Sequence, residues 1–313
     1  MRTLIFGAGP LGSLYTYLLH KAGNDVTLLA RGEHCEFLKK NGLVLVNEFS
    51  QEKFIEKVNV VNVLGEDDMY DLVIVLMRKN SLRNVFPVLS QKKNILNFLF
   101  MGNNALGFDE YLDHLPKEKV LFGFPGGGGS RIDHIVHYVD SDKPEGKRFP
   151  IVIGEIDGRT KDRTIRIKNL FESSQVPVEI VDDIDGWLKY HVAMINPIAG
   201  ALLKCGDNYK LADDKETIRT YIRAVKEAGS VLRALGYKKR YPFKYNLFYW
   251  MPEGLLAQGL KKFFSSKFVE IAFMLHLHAA RDEMIELGSE LKTLAKQASV
   301  KTPNLDELIG YIS

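Results

Sequence analysis

A glycine-rich turn near the start of the sequence has the residue types and the spacing of a nucleotide-binding site. It follows an apolar stretch that predicts a buried strand and precedes a stretch that predicts a helix. In such a unit the first glycine permits the tight turn, the second lets a pyrophosphate approach the backbone, and the third lets helix and strand pack closely. The exposed amides of the turn attract an anion. The residues predicted to form this dinucleotide site are Gly7, Gly9, Pro10, Leu11 and Gly12.

The residue after the second predicted strand indicates which dinucleotide is bound. That strand, residues 25–30, is followed by Arg31, where NAD-selective proteins usually carry an acidic residue that accepts hydrogen bonds from the ribose. A guanidinium cannot accept such bonds, but it pairs in two-pronged fashion with a 2′-phosphate. We therefore predict NADP(H), with Arg31 on its phosphate. Arg78, after the strand ending at Met77, is a second cofactor candidate, and a solvated surface charge is the alternative for both arginines.

Amides and glycines follow two further strands on the same predicted edge of the sheet. Asn103 and Asn104 come after the strand at residues 94–100, where a short amide can hold the nicotinamide ribose or the substrate. Asn104 is therefore a candidate for both roles, although Asn is also a common turn residue. The run Gly126–Gly129 follows another strand. It either lies against a flat ring or a substrate, or it is a flexible connector.

An amine and an amide share one face of the helix that opens the second half of the chain. Asn196 follows Lys189 by seven residues, which is about two helical turns, so both side chains project in the same direction. An ammonium beside an amide suits a keto acid, because the ammonium can donate a proton to the developing alkoxide. A lysine on a helix is more often solvated, and the spacing alone favours that interpretation.

At this helix the chain resembles the ketopantoate reductase family, and the resemblance covers nearly its whole length. The family's helix has the form W-x-K followed shortly by I-N-P, which is matched by Trp187, Lys189, Ile195, Asn196 and Pro197. The resemblance implies reduction of 2-dehydropantoate to pantoate with NADPH, a step of pantothenate synthesis. It also implies that Lys189 is the catalytic acid. Glu283 matches the family's catalytic acidic residue, which would hold Lys189 or bind a substrate hydroxyl, and Asn104 matches its asparagine at the cofactor edge.

Two positions depart from the family pattern. Ala193 stands where the family carries a further asparagine, and Ile271 stands where it carries a serine. The groups that would grip the hydroxyls of pantoate are therefore altered, while the cofactor motif is intact. The sequence supports an NADP-dependent reductase of a small 2-oxo acid better than it supports ketopantoate as the substrate. A related opine-type or 2-hydroxy acid dehydrogenase, and a sensor that binds NADP(H) without turnover, are the alternatives.

The pattern of apolar residues predicts how these candidates are positioned. Short apolar strands that alternate with helical segments predict an α/β fold with an N-terminal Rossmann-type, doubly wound sheet. After the first two strands, the candidates are residues 60–64, 71–77, 94–100, 120–124, 134–139, 150–155 and 177–181. The strands after about residue 120 are expected to extend the same sheet in mixed orientation. Helical spacing then dominates over residues 184–203, 214–235 and 270–298. We predict an NADP-binding domain over residues 1–180 and an all-helical substrate domain over residues 181–313.

Composition disfavours several other classes of function. The 313 residues include 42 basic and 39 acidic side chains, with no basic run long enough to follow a nucleic acid backbone. Cys35 and Cys205 form neither a disulfide framework nor a metal-binding spacing. His134 and His137 are predicted to point to opposite faces of one strand, and His276 and His278 to different sides of a helix, so we expect no metal site.

The sequence also suggests where the protein acts and with what partner. No apolar run has the length needed to span a bilayer, and no cleavable signal precedes the first strand, so we predict a cytoplasmic protein that does not contact membranes. The apolar C-terminal helices suit either a homodimer interface or the chain's own core, and the sequence leaves both open.

Overall fold

The structure, a computed structural model, describes residues 1–143, 146–274, 277 and 280–312. The chain divides into two compact units. The first holds residues 1–102 and 108–184, and the second holds residues 103–107 and 185–313. The short segment 103–107 therefore belongs with the C-terminal residues, although it follows directly on a strand of the first unit.

The described strands all lie in the first unit. They are β1 (Thr3–Phe6), β2 (Val26–Leu29), β3 (Leu43–Asn47), β4 (Lys53–Glu56), β5 (Asn59–Val61), β6 (Leu72–Val75), β7 (Phe98–Met101), β8 (Val120–Phe124), β9 (Gly128–Ile132), β10 (Ile135–Val139), β11 (Ile151–Gly154) and β12 (Val178–Ile180). An eight-stranded sheet has the order β12-β11-β8-β7-β6-β1-β2-β5. Its neighbouring strands are parallel except β11, which runs antiparallel to β8.

This sheet confirms the predicted fold class. Its first six strands along the chain lie in the order three-two-one-four-five-six, which is the arrangement of dinucleotide-binding folds. Strands β1, β2, β6 and β7 are buried at every residue. Such continuous apolar strands are expected where helices cover both faces of a parallel sheet. In this topology, ligands bind beyond the carboxyl ends of the strands, where the strand order reverses between β1 and β6.

A second, four-stranded sheet in the first unit has the order β4-β3-β10-β9. The sequence analysis missed β3, β4 and β9, and it wrongly placed β10 in the main sheet. The residues of two of these strands do not show a strand pattern by themselves. Strand β4 has only exposed and half-buried residues, and β9 begins with two glycines, which are poor strand formers. These strands exist because they pair with β3 and β10, at registers that the sequence pattern does not specify.

The helices of the first unit connect and cover these strands. They are α1 (Pro10–Lys21), α2 (Gly32–Asn41), α3 (Phe86–Ser90), α4 (Asp109–Leu112) and α5 (Asp162–Glu172), with 3-10 turns at Lys79–Asn84 and Lys117–Lys119. Tyr15 on α1 packs edge-on against Phe171 on α5, with ring centroids 5.6 Å apart. Both are part of the buried apolar core around β1.

The described secondary structure of the second unit is all helical, as predicted. Its α-helices are α6 (Ile184–Cys205, whose first residue still belongs to the first unit), α7 (Asn208–Asp213), α8 (Lys215–Ala234), α9 (Leu247–Trp250), α10 (Glu253–Phe264), α11 (Lys267–Val269), α12 (Arg281–Ala298) and α13 (Pro303–Ile312), with a 3-10 turn at Phe243–Asn246. Helix α8 begins at its capping residue Asp214, which accepts a hydrogen bond from the Thr217 amide at 3.0 Å. Its apolar stripe is buried, as the 3.6-residue period requires.

The prediction of α-helix over residues 270–298 is wrong in part. A π-helical turn spans Glu270–Met274, and α12 begins only at Arg281. His276 and His278 lie outside the described residues. Among the helices that are described, none combines the length and the apolar character needed to cross a bilayer.

Candidate functional site

The predicted nucleotide turn lies at the carboxyl end of β1, beside the point where the strand order reverses. Gly7 has a φ of +125°, and a Cβ there would lie 2.5 Å from the carbonyl oxygen of Leu76. A Cβ on Gly12 would collide with the carbonyl oxygen of Gly7. Gly9 differs from both, because a Cβ on it would meet nothing within 4 Å. Two of the three glycines are therefore needed by the fold, and Gly9 borders open space.

Helix α1 begins beside that open space. Gly9 is its N-terminal capping residue and supplies no side-chain hydrogen bond, and Pro10 occupies the first turn. The first amides of a helix have no partner within the helix, and the helix dipole is positive at this end. Leu11 is half-buried beside this turn. This end of a twelve-residue helix therefore has the free amides and the space that a pyrophosphate requires.

The run Gly126–Gly129 packs against its own unit. The hydroxyl of Tyr15 donates to the carbonyl of Gly126 at 2.9 Å, and a Cβ on Gly126 would lie 2.6 Å from the carbonyl oxygens of Phe149 and Pro150. Gly128 and Gly129 already belong to β9. The interpretation as a flexible connector is therefore wrong, because close backbone packing accounts for these glycines. Whether the run also contacts a ligand stays a prediction.

Two histidines and an arginine cluster beside the nucleotide turn. The Nδ1 atoms of His34, on α2, and His134, in the β9–β10 turn, are 3.1 Å apart. Arg131 donates to the carbonyl of Ala8 at 2.6 Å. Burial, Arg131 and His134 together lower the pKa of His34 to about 4. Since His134 precedes β10 with a φ of +69°, the predicted geometry of His134 and His137 on opposite faces of one strand is wrong.

The lowered pKa of His34 predicts an acid-sensitive first unit. Between about pH 6.5 and pH 4 an unfolded chain protonates this histidine, whereas the folded chain does not, so the stability that neutral His34 contributes is lost as pH falls through that window. We expect the free energy of unfolding to fall on acidification by on the order of 1–2 kcal/mol, and the urea midpoint to fall with it. The variant His34→Gln should depend less on pH. Urea unfolding followed by circular dichroism at several pH values measures it. His20→Gln, at a more exposed position, is the control, and an equal slope in the wild type and His34→Gln would contradict the prediction.

Two predicted cofactor residues lie at strand ends of the main sheet. Arg31 is exposed just beyond β2, as the residue that precedes α2. Arg78 is exposed beyond β6, where a 3-10 turn begins. Its neighbour Lys79 is buried instead, with its Nζ 3.3 Å from Glu110 and 4.9 Å from the ring centre of Tyr111. Lys79 is therefore held inside the first unit.

The segment 103–107 is anchored to α12 by two buried carboxylates. The Nδ2 of Asn103 lies 3.3 Å from Glu283, and the amide of Ala105 donates to Glu290 at 2.8 Å. Glu283 and Glu290 are two helical turns apart on the same face of α12. The segment is therefore held along that helix, and the Oδ1 of Asn103 is buried with no hydrogen-bond partner among the described residues. Sequence reasoning did not identify Glu290.

Asn104 is buried within this segment. Its Nδ2 donates to the carbonyl of Gly107 at 2.6 Å, which closes the segment into a tight loop. Gly107 has a φ of +92°, and a Cβ on it would lie 3.4 Å from the Nζ of Lys189. The loop that carries Asn104 therefore passes directly beside the predicted catalytic lysine.

Lys189 is buried and paired with a carboxylate that the sequence analysis missed. Its exposure is 3%, and its Nζ donates to Asp185, one turn earlier on α6. The i to i+4 spacing of an acid and a lysine was the available signal. The family resemblance assigns Glu283 either to Lys189 or to a substrate hydroxyl. The carboxylate that holds Lys189 is Asp185, while Glu283 contacts Asn103.

Asn196 links α6 to α12. Its side chain is fully buried, and its Nδ2 donates to the carbonyl of Met284 at 2.8 Å. Its Oδ1 has no hydrogen-bond partner among the described residues. The amide therefore has a structural contact in this unit, and its predicted role toward a substrate stays a prediction.

Comparison with known proteins shows which family this chain is similar to. Residues 3–143 match the family model "Ketopantoate reductase PanE/ApbA". The resemblance to the ketopantoate reductase family is confirmed. The matched residues include the nucleotide turn, both predicted cofactor arginines and Asn104. The family is one of oxidoreductases.

Two curated relatives illustrate how distant the similarity is. The chain is 29% identical to the "Uncharacterized oxidoreductase YkpB" of Bacillus subtilis over 196 residues, and the aligned residues make up 61% of each protein. It is 26% identical over 243 residues to a 2-dehydropantoate 2-reductase of Pyrococcus horikoshii, which is 76% of this chain and 75% of that one. The match thus spans about three fifths to three quarters of these relatives.

Solved structures share the fold over the whole chain. A 2-dehydropantoate 2-reductase from Geobacter metallireducens has a TM-score of 0.80 at 19% identity, and the superposition covers 100% of this chain and 99% of that one. A D-mandelate dehydrogenase solved with NADH and anilino(oxo)acetate has a TM-score of 0.77 at 17% identity and covers 100% of this chain and 97% of its own. At these identities the likeness establishes the fold.

The two positions that depart from the family pattern are apolar and buried in the second unit. Ala193 on α6 is 0% exposed and Ile271 in the π-helical turn is 4% exposed. Neither side chain can donate or accept a hydrogen bond. The described residues contain no group of three or more His, Cys, Asp or Glu side chains placed to hold a metal ion.

Proposed function

We propose that this protein reduces a small 2-oxo acid with NADPH, and that 2-dehydropantoate is the leading substrate. The single observation that carries the proposal is the buried ammonium of Lys189, which lies beside the loop of Asn104 in a chain that resembles ketopantoate reductases. A buried ammonium needs a reason to be retained, since its desolvation is costly. Proton donation to a reacting carbonyl oxygen is such a reason.

The first unit supports the cofactor part of the proposal. Its glycine turn fits a dinucleotide, because the backbone of Gly9 borders open space and the start of α1 has free amides for a pyrophosphate. Arg31 would hold the 2′-phosphate, and Arg78 would lie near the same end of the cofactor. The bound cofactor would supply the hydride. The D-mandelate dehydrogenase that shares the fold was solved with NADH, which is also a nicotinamide dinucleotide.

In the proposed mechanism the second unit binds the acid and handles the proton. Lys189 donates a proton from its Nζ to the alkoxide oxygen that develops as the carbonyl is reduced, and its charge stabilises that oxygen beforehand. Glu283 is proposed to accept a hydrogen bond from a substrate hydroxyl. Asn104 and Asn196 are proposed to donate to the substrate, and Asn104 also to the nicotinamide ribose.

A second candidate substrate class is favoured by the buried apolar side chains of Ala193 and Ile271. Without polar groups there, the site loses the hydrogen bonds expected for pantoate's hydroxyls, and loss of such bonds is a strong determinant of specificity. A 2-oxo acid with an apolar side chain would suit these positions better. The D-mandelate dehydrogenase with the same fold is consistent with that class.

The test is NADPH oxidation, followed by absorbance, with a panel of 2-oxo acids. The panel contains ketopantoate, pyruvate, 2-oxoisovalerate and phenylglyoxylate, each assayed with NADPH and NADH. The highest kcat/KM is expected for ketopantoate with NADPH. A preference for phenylglyoxylate or 2-oxoisovalerate would establish the second candidate. Tight binding of NADPH without turnover of any acid would contradict both and support a sensor.

Replacing Arg31 tests the choice of cofactor. Arg31→Glu is expected to weaken NADPH binding about 10- to 100-fold, because charge-assisted hydrogen bonds to the phosphate are lost and a repulsive carboxylate replaces them. NADH binding should be unchanged or tighter. Fluorescence titration with both cofactors measures the two dissociation constants. The control is Arg166→Glu, because Arg166 on α5 is also exposed. If Arg31→Glu changes the dissociation constants of NADPH and NADH equally, Arg31 does not bind the 2′-phosphate.

A further inference from the structure

The carboxylate of Asp185 is hydrogen bonded through both of its oxygens. Its Oδ1 accepts from the Nζ of Lys189, and its Oδ2 accepts from the hydroxyl of Tyr237 at 2.5 Å. The tyrosine lies 48 residues beyond the lysine in the sequence, outside the reach of any helix periodicity. A carboxylate bound from two sides has one orientation, so Asp185 presents a fixed acceptor to the ammonium.

Tyr237 is itself held in place by the end of α8. Gly236, with a φ of +100°, ends that helix, and the amide of Tyr237 donates to the carbonyl of Leu232 at 3.0 Å. This is the hydrogen bond of a Schellman turn. The buried hydroxyl of Tyr190, on α6, donates to the carbonyl of Tyr237 at 2.7 Å. The backbone of Tyr237 is therefore fixed to α6 and α8 before its side chain reaches Asp185.

Two further contacts confine the ammonium of Lys189. Its Nζ lies 5.0 Å from the centre of the Tyr237 ring, within the range of a cation–π interaction. A Cβ on Gly107 would lie 3.4 Å from that Nζ and 3.5 Å from the Oδ1 of Asp185. The ammonium thus has a carboxylate, an aromatic ring and a glycine backbone around it. An ammonium has several N–H donors, so Lys189 keeps donors for a substrate in addition to the one that Asp185 accepts.

We propose that Asp185 and Tyr237 are positioning residues for Lys189, with Tyr237 orienting Asp185 and Asp185 fixing the Nζ. This inference rests on the proposed function, in which Lys189 donates the proton. An exposed i to i+4 ion pair contributes only a few tenths of a kcal/mol and sets no geometry. Here the lysine is 3% exposed and its partner is tied by a second hydrogen bond. Misplacing a catalytic group by a small distance lowers the rate far more than it lowers stability.

Kinetics of matched variants test the inference. Asp185→Asn is expected to lower kcat about 100-fold and Tyr237→Phe about 10-fold, with KM for the acid and the dissociation constant of NADPH little changed. Asp185→Glu should recover part of the rate. The controls are Asp213→Asn, which breaks an exposed pair with Lys261, and Tyr209→Phe, which removes a surface hydroxyl bonded to Glu270. Both controls should keep the wild-type rate.

A double-variant cycle distinguishes positioning from a general loss of structure. If Asp185 acts through Lys189, then adding Asp185→Asn to Lys189→Ala causes no further loss of residual activity. An additive loss would overturn the inference. So would wild-type rates in both Asp185→Asn and Tyr237→Phe.

A chemical readout separates this inference from the proposed function. The rate at which Lys189 reacts with acetic anhydride, measured by peptide mass spectrometry, should rise several-fold in Asp185→Asn and less in Tyr237→Phe, because the amine is released from its partner. It should stay unchanged in both controls. If the wild type turns over no acid of the panel, the proposed function fails and only the labelling decides whether Asp185 and Tyr237 hold Lys189. Unchanged labelling in Asp185→Asn would overturn the inference even in an active enzyme.

Discussion

Replacing Lys189 with methionine is expected to lower kcat about a thousandfold on whichever 2-oxo acid the wild type reduces, because a positioned general acid and its charge are lost together. Methionine keeps the length and the apolar stem of lysine, so the packing of α6 is preserved. NADPH affinity should be unchanged, since Lys189 is not one of the proposed cofactor contacts. Stopped-flow absorbance of NADPH and a fluorescence titration measure the two quantities.

Two controls make this loss interpretable. Lys292→Met removes an exposed lysine from α12 and should leave turnover unaltered. Lys189→Met also leaves Asp185 without its cation, so the double variant with Asp185→Asn shows whether that carboxylate disturbs the fold. Turnover within a few-fold of the wild type in Lys189→Met would exclude Lys189 as the proton donor.

The glycine turn predicts two opposite outcomes from one kind of substitution. Gly9→Val is expected to leave the fold intact and to weaken NADPH binding more than about 100-fold, because its branched side chain would occupy the space proposed for the pyrophosphate. Gly9 has an extended backbone conformation that any residue adopts, and a Cβ there meets nothing within 4 Å. Gly12→Val is expected to destabilise the first unit by about 3 kcal/mol, because its side chain collides with the carbonyl of Gly7.

Thermal unfolding measures the stability of both variants, and titration with NADPH measures their affinity for the cofactor. The proposed cofactor site requires that Gly9→Val melts like the wild type while losing affinity. Wild-type affinity in a folded Gly9→Val would place the dinucleotide elsewhere. A large loss of stability in Gly9→Val would instead show that Gly9, like Gly12, is needed by the fold.

The buried apolar residues Ala193 and Ile271 connect these predictions to specificity. They leave the proposed cofactor and proton chemistry untouched but remove two polar positions expected for pantoate. A chain of this kind can keep the proposed mechanism while it differs in substrate from the reductases it resembles, because sites on one fold vary independently of that fold. The substrate panel therefore tests specificity, whereas the Lys189 variant tests mechanism.

The sequence by itself determined the features that depend on neighbouring residues. The strand–turn–helix unit of Gly7 to Gly12 is complete within a short stretch, so its fold follows from local sterics. The long helices α6 and α8 follow from apolar residues at a 3.6-residue period. The Asp185–Lys189 pair was also within reach, because an acid and a lysine at i and i+4 meet on one helix face.

Only the tertiary structure decided the features that depend on packing between distant segments. The pairing of β3 with β10, the assignment of residues 103–107 to the helical unit, and the contact of Tyr237 with Asp185 all join residues far apart in the chain. Hydrophobic periodicity states which face of an element is buried, but it does not state which element covers that face. The contacts of Lys189 with Tyr237 and Gly107 were therefore invisible in the sequence, whereas the lysine and its partner Asp185 on the same helix were not.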